Sequence, residues 1–237
     1  DLKGYSIWTK MKAIYPFVGG TASTHKWNLI NPLDTDAAFR LVFNGGWTHS
    51  ATGAKPNGTN AYANTYLKPS TSLITNYASL HYYSRTSGSE LSTGKGTVIG
   101  VRSVNSGTTG NSLVLAPKRF DDFSLFYYTF TGATNEFASR ASEPTGTGLF
   151  SGALMASSSK IYKNGINETT VNNSFGVRNT PNLVTYLGAL NANGTQVLEY
   201  SLRESAFAAI ADSMSDAEVA DLYTAVQAFN TTLSRHV

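Results

Sequence analysis

From Phe39 to Tyr200 no helical period survives. Short runs rich in β-branched and aromatic residues alternate with turn clusters roughly every 8–15 residues. That cadence admits a sandwich or a barrel and little else. The expected strands are Asn60–Leu67, Ser79–Thr86, Thr97–Ser103, Ser112–Pro117, Phe123–Thr131, Gly148–Ala156, Lys160–Lys163, Asn167–Val171, Val184–Ala189 and Glu199–Ile210. Asn57-Gly58, Asn105-Ser106-Gly107, Thr131-Gly132, Asn164-Gly165 and Asn193-Gly194 lie between them as turns. Asn-Gly tolerates positive φ at both central positions of a two-residue turn, so Asn164-Gly165 predicts a tight hairpin. No fixed period of roughly 20–50 residues appears, which argues against a propeller or solenoid.

The two ends of the chain change period. Ser215-Asp216-Ala217-Glu218 has the form of a capping box, in which the serine hydroxyl and the glutamate each satisfy an orphan amide of the other. Val219, Leu222, Tyr223, Val226, Phe229 and Leu233 follow at three- and four-residue spacing, predicting a closing amphipathic helix over 215–233. At the other end Leu2, Ile7, Trp8, Met11, Ile14 and Tyr15 suggest the end of a short amphipathic helix, stopped by Pro16 and Gly19-Gly20. This reading makes 1–20 the end of an upstream helix or linker and 21–237 one sandwich domain. The apolar stripe of the first segment then needs cover, from its own domain or from an identical helix. Trp8 and Met11 are its candidate assembly residues.

A chain of 237 residues is long enough for one sandwich with a sizeable core. It has no cysteine, which removes disulfides, cysteine-ligated zinc and thiol nucleophiles. Only 14% of residues are charged, against roughly 25% in an average domain. Ser, Thr, Asn and Gly fill about two-fifths of the chain, giving a neutral, hydroxyl-rich surface. The longest apolar stretch, Ala206–Ala211, is far too short for a membrane helix. Basic residues predominate in the first half, but they are scattered singly apart from Lys10 and Lys12 beside Trp8. No nucleic-acid partner is expected from that pattern.

Catalytic motifs are sparse. The four histidines, His25, His49, His81 and His236, have no Gly-x-Ser-x-Gly elbow and no metal-ligand spacing among them. Calcium needs only oxygen ligands, so Asp34 with Asp36, or Asp121 with Asp122, could supply charge to a loop site, although no specific motif indicates one. Glycosidic cleavage requires two facing carboxylates. Asp121 and Asp122 are adjacent, and Glu199 and Glu204 are five apart, so each pair points to opposite faces of a continuous strand. The glycines of Ser92–Gly100 lack the Gly-Lys-Ser/Thr ending of a phosphate loop. No cofactor is expected.

Four stretches resemble a concanavalin A-like, laminin-G-like sandwich: Thr59–Ala63, Ser79–Arg85, Ser159–Gly165, and Ala206–Ala211 followed by Ser213–Val219 and Leu222-Tyr223. The resemblance implies an all-β, antiparallel two-sheet jelly roll with a short N-terminal helix and a C-terminal amphipathic helix. Met11–Lys26, Gly45–Ser50 and Asn57–Tyr62 are moreover similar to C-terminal domains of bacteriophage virion and tail-associated proteins. That likeness implies a location on the phage particle, with other virion proteins as neighbours and further sequence upstream of Asp1. The glucanases of the superfamily carry Glu-x-Asp-x-x-Glu on one strand, and this chain has no such string.

Three functions follow in order of expectation. The first is a non-enzymatic carbohydrate-binding adhesin module that meets a host-surface glycan. In Ser79–Thr86, Leu80 and Tyr82 share one face while His81, Tyr83 and Arg85 share the other. With Leu80 in the core, His81, Tyr83 and Arg85 would form an exposed row for a sugar. The second is a purely structural decoration or assembly domain that oligomerises through its N-terminal helix. The third is a glycan hydrolase.

Overall fold

A computed structural model describes residues 2–88, 96–104, 110–119, 123–129, 136–140, 143–172 and 180–237. The turns expected at Asn105-Ser106-Gly107 and Thr131-Gly132, and the aspartates Asp121 and Asp122, lie outside the described residues. Two sheets face each other. Among the described residues the first has eight strands: Ile166–Asn172, Ser158–Lys163, Gly148–Met155, Ala78–Ser84 and Ser205–Ala211 side by side, then Gly53–Pro56 and Trp47–Ser50, with Met11–Tyr15 also on Ser205–Ala211. The second has nine, running from Glu136–Arg140 through Phe123–Thr129, Gly110–Arg119, Ile99–Val104, Tyr186–Leu187 and Tyr62–Asn64 to Val42–Asn44, with the hairpin Leu190–Ala192 and Gln196–Leu198 on Ile99–Val104. Pairing is antiparallel except where Leu190–Ala192 runs parallel to Ile99–Val104. The all-β two-sheet sandwich is therefore present, with one parallel contact in an otherwise antiparallel arrangement.

Each expected strand overlaps an observed one; Ser112–Pro117, Lys160–Lys163 and Asn167–Val171 lie within longer strands, and the others are shortened or shifted at their ends. The largest trimming is at Glu199–Ile210, where pairing begins only at Ser205 and Glu199 itself sits in the left-handed region at φ 53°. The hairpin turns at Asn164 (φ 50°) and Gly165 (φ 79°), with Lys163 opposite Ile166. The closing helix spans Asp216–Thr232, and both hydrogen bonds of its capping box are made.

The core has two layers. Between the sheets lie Ala13, Tyr15, Leu80, Tyr82, Ile99, Val101, Leu113, Leu115 and Ile210. On the outer side of the first sheet, the closing helix sets Val219, Leu222 and Val226 against Ile7, Met11, Ile14, Tyr83, Leu149 and Phe207. Ala78–Ser84 and Ser205–Ala211 are consequently buried along their whole length, as expected of strands covered on both faces.

A short N-terminal helix is present as expected, but the apolar stripe continues past it into a strand. A short 3-10 helix at Trp8–Lys10 is followed at once by the strand Met11–Tyr15, so the amphipathic stripe is not a single helix. Pairing with Ser205–Ala211 shifts register between Met11 and Ala13. This bulge puts Met11 and Ile14 on the helix side while Ala13 and Tyr15 enter the inter-sheet core. Residues three apart then share a face, which imitates a helical period in a strand. Residues 11–15 thus belong to the sandwich, within the segment assigned to an upstream helix or linker.

Candidate functional site

The row expected on Ala78–Ser84 is not open to a ligand. Leu80 and Tyr82 do face the inter-sheet core, but the opposite face is roofed by the closing helix, and His81 and Tyr83 are both 0% exposed. Ser79 gives its hydroxyl proton to the Asp212 carbonyl, so His81 donates from Nε2 to Ser79 Oγ (2.9 Å) and accepts at Nδ1 from Ser151 Oγ (2.9 Å). Complete burial pushes its pKa down to about 3. Tyr83 donates to Gln227 Oε1 on the helix (2.8 Å) and accepts from the Val237 amide (3.0 Å). Arg85 binds the Arg235 carbonyl and Glu204. Tyr83 fastens the helix and the C-terminal residues to the sheet, Arg85 fastens the C-terminal residues, and His81 links side chains within the sheet itself. Met11 is 3% exposed beneath the same helix, and Trp8 packs against that layer with Lys3 over its ring. Neither offers the free apolar stripe expected for assembly.

The loop carboxylates are likewise engaged. Asp34 meets Lys26 (2.5 Å) and Arg40 (3.2 Å), and Asp36 meets Arg40 (2.8 Å). The Lys26 hydrogen bond holds the Asp34 carboxyl below its usual range. Among the described residues no cluster of three or more histidine, aspartate and glutamate side chains forms.

A different aromatic surface lies on the outer face of the second sheet. Ala61 and Ala63 are fully buried, Ala63 in the inter-sheet core, so strand alternation turns Tyr62 and Asn64 outward. Across the ladder Tyr186 stands opposite Asn64, and Asn44 opposite Tyr62. The rings of Tyr62 and Tyr186 lie 4.6 Å apart, tilted by 31°. Tyr66 follows at φ 57°, a left-handed turn held by its amide on Asn64 Oδ1 (2.8 Å), and the Arg40 guanidinium lies 5.7 Å from its ring. Burial raises the Tyr186 pKa, helped by Tyr62 and Tyr66, and burial raises that of Tyr200, helped by Tyr62. Those two phenols therefore keep their protons as donors across the neutral range. The result is four neighbouring phenols with two amides and one ring-stacked guanidinium, all half-buried.

A rigid turn supports this platform. Asn57 Oδ1 accepts from the amides of Thr59, Asn60 and Ala61, and Asn60 Oδ1 accepts from Gly46. Gly45, at φ 73°, passes so close that a Cβ there would stand 2.2 Å from the Asn60 carbonyl oxygen. The Trp47 indole donates to the carbonyls of Asn44 (3.1 Å) and Tyr62 (3.3 Å), fixing both strands at the platform edge.

Behind Trp47 lies a histidine pair. His25 and His49 approach through their Nδ1 atoms at 3.0 Å, and His25 Nε2 accepts from the Gly20 amide (3.0 Å). That acceptor role leaves the His25 proton on Nδ1, so His49 must accept at Nδ1 and carry its own proton on Nε2. The assigned tautomer is wrong for a metal shared by the two Nδ1 atoms. Phe43 packs edge-on to the His49 ring (4.6 Å), and Trp47 stacks on it (6.2 Å). Sequence reading passed over the tyrosine platform, although Tyr62-Ala63-Asn64-Thr65-Tyr66 alternates large polar and small residues within an expected strand. The partner Tyr186 is contributed from far along the chain, and only the pairing reveals it.

No protein-family model and no curated protein matches the sequence. Among solved structures, domain 4 of AbnA, a GH43 extracellular arabinanase from Geobacillus stearothermophilus in complex with arabinotriose, matches with 15% identity and TM-score 0.59 over 90% of this chain and 98% of that one. The botulinum neurotoxin serotype G binding domain matches with 11% identity and TM-score 0.53 over 91% of this chain and 51% of that one. The NanB sialidase from Streptococcus pneumoniae matches with 14% identity and TM-score 0.51 over 76% of this chain but 27% of its own length. The chain thus shares a β-sandwich fold with domains of glycan-active enzymes and a toxin, one of them seen with an oligosaccharide.

Proposed function

We propose that this chain is a non-enzymatic glycan-binding module whose site is the platform of Tyr62, Tyr66, Tyr186 and Tyr200, with Asn44 and Asn64 beside it. The single observation that carries the reading is the Tyr62–Tyr186 ring pair on the outer sheet face. Aromatic faces meet the apolar side of a sugar ring, while phenols and amides serve its hydroxyls. The platform groups are phenols and amides, a set that fits sugar binding. The likeness to an arabinanase domain in complex with arabinotriose supports the same ligand class. Following the sequence resemblance, we place the module on a bacteriophage virion or tail, facing a host-surface glycan. Of the two residues named for assembly, Met11 is buried under the closing helix and Trp8 is half-buried, which favours the glycan reading over the assembly one.

One such platform is expected to bind in the millimolar range, about −4 kcal/mol. Useful adhesion then depends on several tethered copies acting through effective concentration. The test is a glycan array probed with a multimerised form of the chain. A hit that is lost in Tyr62→Ala supports the reading, and silence across neutral and acidic host glycans, arabino-oligosaccharides included, overturns it.

A further inference from the structure

The histidine pair tolerates only one protonation state. His25 Nε2 accepts from the Gly20 amide and its Nδ1 proton points at His49 Nδ1, 3.0 Å away. A proton added to His49 Nδ1 sets two donors against each other across that contact. A proton added to His25 Nε2 sets a donor against the Gly20 amide. Moving the His25 proton to Nε2 relieves the first conflict only by creating the second.

We propose that the His25–His49 pair is an acid-sensitive latch on the tyrosine platform: one added proton breaks the contact between the Thr21–His25 turn and the strand Trp47–Ser50, and so loosens the platform's edge. The inference rests on the glycan-binding reading for its purpose but not for its physics. The path is short and continuous. Phe17 packs edge-on to His25 (5.6 Å), and His25 lies against His49 (5.0 Å). His49 is clasped by Phe43 and Trp47. Trp47 is hydrogen-bonded to the backbone of Asn44 and Tyr62, and Phe43 sits in the strand that pairs with Tyr62–Asn64.

Among the described residues, a charged group near the pair is also a cation. Arg235 reaches in from the C-terminal segment, donating to the carbonyls of Pro16 and Phe17 and to Asn230. Burial, His49 and Arg235 together push the His25 pKa down to about 4, and burial lowers that of His49. Near neutral pH both rings are uncharged and the latch is closed. Acid opens it, a use suited to imidazole.

The experiment needs no glycan. Wild-type protein with labelled histidine and tyrosine rings is titrated by NMR from neutral pH downward, over the range in which its far-UV circular dichroism is constant. The expected result is that the ring signals of Tyr62 and Tyr186 shift with the same midpoint as His49, and that His49→Phe removes those shifts. If His49→Phe does not fold, His25→Gln supplies the same comparison. Tyrosine signals that stay still while His49 titrates, or that shift unchanged in the variant, overturn the latch. An array hit that persists equally below the measured His49 midpoint also overturns the latch while leaving glycan binding intact. Silence on the array defeats the binding reading and leaves the titration to decide the coupling.

Discussion

Two buried arginines show how single residues hold this fold together. Arg203 is 0% exposed, and its guanidinium donates to the carbonyls of Thr86, Gly88, Pro117 and Gly146. It ties the ends of separate strands through their backbone groups, whatever side chains those residues carry. Arg235 does the same for Pro16, Phe17 and Ala206. Removing such a donor leaves several buried carbonyls unsatisfied, and each costs about 1–3 kcal/mol. Arg203→Met is therefore expected to lower unfolding free energy by at least about 3 kcal/mol in urea titration. An exposed arginine lost to methionine would change it by less than about 0.5 kcal/mol, and a result in that range for Arg203 would contradict the buried role.

At the scale of elements, the closing helix decides which surfaces of the sandwich are available. Its start is fixed by the Ser215 and Glu218 capping box, and Glu218 also pairs with Lys10 at 2.6 Å. Ser215→Ala is expected to cost about 1 kcal/mol, read as a lowered denaturation midpoint with an unchanged slope. This helix was legible in the sequence because its cap and its apolar spacing are local signals. So was the Asn164-Gly165 hairpin, whose turn chemistry lies in two residues. What the helix covers was not legible. Strand alternation correctly put Leu80 and Tyr82 on one face and His81 and Tyr83 on the other, but both faces are buried, and alternation says nothing about a third layer. The short edge strands Val42–Asn44 and Trp47–Ser50 escaped notice because strands of three or four residues carry too little period to register. The bulge after Met11 gave the opposite error, a strand that reads as a helix.

For the molecule as a whole, the histidines set its response to acid. His81 and His25 have folded-state values of about 3 and about 4, below the ordinary imidazole value of 6.5. The unfolded chain therefore binds more protons than the folded one below that ordinary value. Stability is fully present above about pH 6.5 and is lost as pH falls through the folded values. Melting temperature is expected to decline steadily between about pH 6.5 and pH 4, and His81→Asn should flatten part of that decline. A melting temperature that holds constant across this range would contradict the neutral, buried state of both rings.

The platform and the buried row make opposite demands on binding, and one tyrosine from each separates them. Affinity for the array hit is measured near pH 7 for Tyr186→Ala and for Tyr83→Phe beside the wild type. Tyr186→Ala is expected to weaken binding by about ten-fold or more, equivalent to about 1.4 kcal/mol, while remaining folded. Tyr83→Phe is expected to keep wild-type affinity while losing stability with its hydrogen bonds to Gln227 and Val237. Full affinity in Tyr186→Ala, or lost affinity in a folded Tyr83→Phe, would place the site away from the platform.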